Sequence, residues 1–322
     1  MRTTRFALVA VILAALATAA RAQADAWPAR AITVVVGFGA GGNPDVAARL
    51  IAERLGARLG QPVVVENRPG AAGTVGAAAV ARAQPDGYTL LFGVAANLAL
   101  APATMKTPPY EPARAFQPIA EVARGPYVWM VRADLPLRTM PEFVAWAKER
   151  NGGGNYVSPG TGSAHHLGTE MMLRSAGIEM VHVPTSRGIY VSILAGAGDA
   201  MFDTLPAPLA HIKSGKLRAL GVTGAKRLAA LPEVPTLAEQ GLPDVPLQFF
   251  WGLVGPAGLP RAIVDRLHRE VTAILAEPAV QATFAGWGIE TSNVGPDAFG
   301  ASIAQEVSRW REFVARSGLR LE

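Results

Sequence analysis

The chain has 322 residues, half of them hydrophobic and 17% charged, with 34 glycines, no cysteine and a formal net charge of +5. That balance excludes a disordered chain, which needs low hydrophobicity and high charge. The absence of a three-residue glycine period excludes a collagen-like fibre, and the absence of cysteine excludes a disulfide framework, a thiolate metal site, an iron–sulfur cluster and a cysteine nucleophile.

Arg2 and Arg5 precede an apolar run over 6–20, and Ala20-Arg21-Ala22 follows. This is the layout of a secretory signal peptide over 1–22, with cleavage after Ala22 or Ala24. The run is shorter than the roughly 20 residues that a spanning helix needs. Cleavage after Ala22 removes three arginines and takes the net charge from +5 to +2. No run of five Lys or Arg residues occurs, so nucleic acid is not an expected partner. An exported, cysteine-free chain of this size is expected in the periplasm, as a monomer.

Strands are predicted at 31–36, 62–65 and 88–93, alternating with helices at 45–59 and 74–83. That alternation is the pattern of a parallel sheet covered on both faces. Residues 97–125 hold many prolines and little periodicity and read as an irregular connection. A second α/β set follows, with strands at 127–132, 156–157, 179–183, 199–203 and 217–222. Its helices are predicted at 141–150, 164–176, 189–196 and 206–214. A strand at 247–254 and helices at 260–276 and 296–317 complete the chain. A chain that leaves one domain near 127 and returns near 250 needs two crossing strands, and 127–132 with 247–254 are the expected pair. The expected domains are 23–126 plus 250–322, and 127–249. Trp129, Trp146, Trp251, Trp287 and Trp310 sit in apolar elements and read as core, as do Phe249 and Phe250.

The sharpest local feature is the turn after the first strand, Gly37-Phe38-Gly39-Ala40-Gly41-Gly42-Asn43-Pro44-Asp45. Asn43 can cap a helix with Pro44 in its first turn. Glycines expose backbone N–H groups, and a helix N-terminus adds orphan donors and partial positive charge, so the turn is a candidate anion site. Gly37, Gly39 and Gly42 also fit the dinucleotide fingerprint, with Glu66 ending the next strand. Export and the nearby charge of Asp45 argue against a pyrophosphate there. Ser158-Pro159-Gly160-Thr161-Gly162-Ser163-Ala164-His165-His166 is a second turn of small and hydroxyl residues before a helix, and a second candidate anion cradle. One loop in each domain suggests a ligand held across a cleft. Phe38 projects from the first loop and is a candidate contact.

His165-His166 is a poor metal site, because adjacent helical residues do not share a face. Ser158, His166 and Asp203 could be read as a hydrolytic triad, but no nucleophile-elbow motif accompanies them.

The segments AGGNPDVAARL (40–50), GQPVVVENRPGAAGTVGAAAVARAQPDGYTLL (60–91), SPGTGSAHHL (158–167), MVHVP (180–184), MFD-x-LP (201–206) and HIKSGKLRALGVTGAKR (211–227) resemble the Bug/TctC family across nearly the whole mature chain. The family comprises periplasmic substrate-binding proteins of tripartite tricarboxylate transporters. The resemblance implies an α/β, type II periplasmic binding fold with two lobes, parallel-dominated sheets and a two-strand hinge. It implies a small organic carboxylate, often a dicarboxylate, held by backbone amides and waters, with no cofactor, no metal and no catalysis. The implied partners are the large and small membrane subunits of the transporter. An exported hydrolase, or a sensory component for a signalling partner, are the alternatives.

Carried onto this sequence, the family's ligand contacts fall at Phe38, Ala40, Gly41, Gly42, Asn43 and Asp45. Asn67, Gly70 and Ala71 should line the first-domain side, within the segment 67–73. Ser158, Thr161, Gly162, Ser163 and His166 should approach from the second domain, with Thr185, Arg187 and Asp203 near the cleft. Three departures stand out. Gly37 replaces a frequent Pro, Asn43-Pro44 replaces a small polar pair, and Thr185-Ser186-Arg187-Gly188 replaces Tyr-Lys-Gly. The last is expected to open the pocket wall and to add a cation at Arg187.

Overall fold

The structure, a computed structural model, describes residues 27–150, 152–185, 188–205, 207–242, 247–292 and 294–317. The predicted signal segment and Arg187 lie outside the described residues.

The chain begins as expected. β1 (Ile32–Val36), α1 (Asn43–Leu59), β2 (Val63–Asn67), α2 (Thr74–Ala81) and β3 (Thr89–Val94) form a parallel unit ordered β2-β1-β3. Four of the five residues of β1 are buried, as befits a β-branched strand with helices on both sides. α1 turns Ala47, Ala48, Ile51, Leu55 and Leu59 inward and stops at Gly60, whose φ of 72° closes the helix.

The segment 97–125 is not irregular. A π-helical turn at Ala96–Leu100 runs into α3 (Ala101–Thr104), and α4 (Pro112–Ala115) leads into an eleven-residue strand, β4 (Phe116–Pro126). Two prolines hide that strand in the sequence. Pro126 ends it, and Pro118 sits beside a register shift against the partner strand, where a missing N–H is tolerated.

The second sheet follows: β5 (Val128–Arg132), α5 (Met140–Glu149), β6 (Asn155–Ser158), α6 (Ala164–Ala176), β7 (Val181–Pro184), α7 (Ile189–Leu194), β8 (Ala200–Asp203), α8 (Leu209–Lys213) and β9 (Leu217–Val222). The chain then returns to the first sheet through β10 (Gln248–Pro256). α9 (Arg261–Leu275), α10 (Pro278–Gly286), β11 (Glu290–Thr291) and α11 (Pro296–Ser317) close it. The sheet orders are β11-β4-β10-β3-β1-β2 and β7-β6-β8-β5-β9.

Two expectations are corrected by this topology. The strand beside β10 is β4, not 127–132. β10 runs antiparallel to β4 from Gln248↔Pro126 to Pro256↔Phe116, whereas β5 pairs with β8 and β9. The sheets are also mixed rather than parallel-dominated, since a strand that returns from the other sheet enters antiparallel to β3 and β4. The polypeptide crosses between the sheets at Tyr127. There Thr223 ties the crossings together: its Oγ1 accepts from Tyr127 N at 2.9 Å and donates to Leu247 O at 2.7 Å.

Candidate functional site

A cavity of about 520 Å³ lies between the two sheets, floored by the crossing strands. Its first-sheet wall contains Phe38, Gly41, Gly42, Asn43, Pro44 and Ala72. Its second-sheet wall includes Pro159, Gly160, Thr161, Ser163, Ala164 and His165. Both predicted loops therefore reach one cleft, and each precedes a helix that starts there.

The first loop is set from behind. Asp45 is 2% exposed and accepts from Gly41 N at 2.8 Å, Arg49 Nε at 3.0 Å and Asn67 Nδ2 at 2.8 Å. Asn67 also donates to Phe38 O at 3.0 Å. Burial alone would raise the Asp45 carboxyl, but the bonds from Arg49, Gly41 and Asn67 outweigh it and hold the pKa below the ordinary value. Asp45 and Asn67 thus position the loop from behind and are not among the described residues that line the cleft. The helix cap is Gly42 and not Asn43, which begins α1 and lines the cleft.

Gly37 also gains a reason. A Cβ there would stand 2.6 Å from the carbonyl oxygen of Gly73, so the strand end and the 70–73 turn touch through backbone alone. Within that turn Ala71 and Ala72 have φ of 46° and 54°, and Ala72 is the member that meets the cleft. Gly70 and Ala71 are exposed outside it, and so is Ala40.

The second loop is stitched by its own hydroxyls. Ser163 caps α6, accepting from His166 N at 3.2 Å and donating to Gly160 O at 2.7 Å. Ser158 is fully buried, with Oγ 2.7 Å from His182 Nε2. His166 turns under the loop, where Nδ1 accepts from Gly162 N at 3.1 Å and the ring stacks on His182 at 4.1 Å. Burial lowers the pKa of both imidazoles, His182 to about 4, where neighbouring His166 adds to the effect.

Ser158, Gly162 and His166 therefore support the loop instead of lining the cleft, and Ser158, His166 and Asp203 form no triad. Thr185 also lies off the cleft. Its amide donates to Ser158 O at 3.0 Å, and its Oγ1 meets Ser192 Oγ. Beyond the segment expected to leave the wall open, Ile189 and Tyr190 enter the lining.

Asp203, at the end of β8, does face the cleft, with partners that the sequence did not announce. His165 Nε2 is 2.8 Å from its Oδ1, which also accepts from Thr204 N at 2.6 Å. The Tyr190 hydroxyl donates to Oδ2. Burial and the Asp203 charge push the phenols of Tyr190 and Tyr127 well above their usual range, so both remain protonated near neutrality. Phe249, Phe250 and Trp251 are buried as expected, yet they also contribute to the cleft floor.

The cleft is suited to an anion without a bulk cation. Among the described lining residues none is Lys or Arg. The amides of Asn43, Thr161, Ala164 and His165 have no acceptor among the described residues. Those of Asn43, Ala164 and His165 are first-turn amides, which carry the positive end of the helix dipole and bind carboxylates by hydrogen bonding, and that of Thr161 precedes the α6 cap. Apart from Ser163, Asp203, Thr204 and the residues that carry those amides, the described lining is glycine, aliphatic or aromatic.

The sequence matches the family "Tripartite tricarboxylate transporter family receptor", TctC, over residues 47–319. The chain belongs to this family of receptors, the Bug/TctC proteins, and is a solute-binding protein, not an enzyme. The structure resembles that of the periplasmic binding protein BugD at 34% identity and TM-score 0.82, covering 91% of this chain and 99% of that one. It resembles Rpa4515 of R. palustris with adipate at 32% identity and TM-score 0.85, over 91% and 98%. It also resembles MatC of Rhodopseudomonas palustris with bound malate at 30% identity and TM-score 0.81, over 89% and 100%.

Proposed function

We propose that the chain is an exported, periplasmic receptor that closes on a small organic carboxylate, preferably a dicarboxylate, and delivers it to the membrane subunits of a tripartite tricarboxylate transporter. The observation that carries this reading is the pair of helix N-termini, of α1 and α6, that open onto one cleft with unpartnered amides. Two such cradles on opposite walls suit two carboxylate groups, one per lobe. The structures resembling this one hold adipate and malate, both dicarboxylates.

In this reading the lobes are 23–126 with 250–322, and 127–249, and they hinge where β4 and β10 leave the first sheet. Ligand contacts made by both walls at once favour the closed form, which is how a ligand biases a hinge equilibrium. The predicted signal segment over 1–22 supports export, and no helix among the described residues is long and apolar enough to cross a membrane.

The test is calorimetric titration of refolded protein with adipate and malate, alongside the Gly42→Asp variant. Gly42 has φ of −73° and room for a side chain, so Asp fits its N-cap position and leaves the fold intact. Its carboxylate would face the ligand's, and binding is expected to disappear. Wild-type affinity in that variant would remove the first loop from the site.

A further inference from the structure

The cleft holds one titratable cluster that the anion-cradle reading does not use: His165, Asp203 and Tyr190. Asp203 is 6% exposed and sits in a cavity proposed to take a second negative charge. An ionised carboxylate only accepts, and the contacts of Asp203 with Thr204 N, the Tyr190 hydroxyl and His165 Nε2 are donor positions. Nε2 of His165 therefore carries a hydrogen in either protonation state. The atom free to change is Nδ1, which has no hydrogen-bond partner among the described residues. His165 is 22% exposed on its side chain and lines the cleft one residue into α6, beside the open amides of that helix.

We propose that His165 contacts the ligand's carboxylate as an imidazolium held in place by Asp203, so that carboxylate binding takes up a proton from solvent at Nδ1. The proposal rests on the carboxylate-receptor reading above. A neutral His165 would offer the ligand a lone pair at Nδ1 and repel a carboxylate, whereas the imidazolium offers an N–H and a charge. Asp203 acts as the positioning residue. It fixes the ring through Nε2 and offsets the imidazolium, while Tyr190 and Thr204 hold its own oxygens.

The groups facing this pair are few. From α7 comes Tyr190, with His211 of α8 stacked on it at 5.3 Å. From the β4–β5 junction comes Tyr127, edge-on to His165 at 6.1 Å. His166, next along α6, stacks instead on His182 beneath the loop. The described lining residues of the first sheet's wall carry no titratable side chain. His165 is thus the only imidazole among the described lining residues of the cleft.

The test is titration of the refolded chain with adipate, and with malate, at pH 7 in buffers of different ionisation enthalpy. Binding is expected to take up a substantial fraction of a proton at pH 7 and to be several-fold tighter at pH 6.5 than at pH 8.5. His165→Gln keeps a polar side chain and is expected to abolish both the uptake and the pH dependence. His211→Gln is expected to keep both. Binding of adipate or malate with no proton uptake overturns the proposal and leaves the receptor reading standing. So does wild-type uptake in His165→Gln. Failure of either acid and of a wider carboxylate panel to bind overturns both.

Discussion

Asp45 works from behind the first loop, where the Gly41 N–H and the Asn67 amide share it as acceptor, while His165 lines the cleft from the second loop. The loops themselves were legible, because glycine-rich turns before helices are written locally. Which side chains face the ligand was not, because that depends on partners far along the chain: Asn67 for Asp45, Asp203 for His165 and His182 for Ser158. One signal was present. Ser163 stands three residues before His166, and an N-cap serine that bonds the N3 amide turns that residue under the loop. The placement of Asp45 predicts that Asp45→Ala costs about 2 kcal/mol in urea unfolding, since Gly41 N–H and the Asn67 amide lose their shared acceptor. Its depressed pKa gives the sign with pH. The contribution is present above the unfolded carboxyl value, about 3.9, and is lost as pH falls through the folded value. His182 acts in a higher window. Its folded pKa of about 4 lies below the unfolded value near 6.5, so the unfolded chain binds more protons between them and stability falls as pH drops through that range. The urea midpoint should decline from pH 6.5 to 4, and His182→Asn should flatten that decline. An undiminished slope in the variant would assign it to other groups.

At the scale of elements, the parallel β1–β3 unit and the second-sheet helices could be read from β-branched runs and 3.6-residue periodicity. β4 could not. Its eleven residues include Pro118, Pro126 and the ion pair of buried Glu121 with half-buried Arg124, at 2.6 Å, in a stretch that alternates poorly. Its strand character comes from β10 alongside it, a long-range pairing that leaves no local trace. The same pairing explains why the crossing strands were mismatched, since 127–132 is strongly apolar and β4 is not. The packing of β10 can be tested at Gly252, where a Cβ would come within 2.3 Å of the Phe299 ring of α11 and 2.8 Å of Ala120 O. Gly252→Ala is expected to destabilise by about 1–3 kcal/mol, the usual cost of overpacking, read as a lower urea midpoint. An unchanged midpoint would mean that α11 can shift away from the sheet.

On the scale of the whole molecule, the architecture puts one helix N-terminus on each side of a cleft whose floor is the crossing strands. Closure is the motion this permits, so a bound dicarboxylate should reduce the radius of gyration in solution scattering. Gly42→Asp should abolish that change together with binding. A small carboxylate bound in the cleft is what the receptor function requires. The most direct measurement is a thermal-shift screen of refolded, ligand-stripped protein against aliphatic and aromatic mono-, di- and tricarboxylates. A ligand at 100 times its Kd stabilises by about 2.7 kcal/mol, so a selective rise in Tm for dicarboxylates is predicted. A flat response across the whole panel would contradict the account.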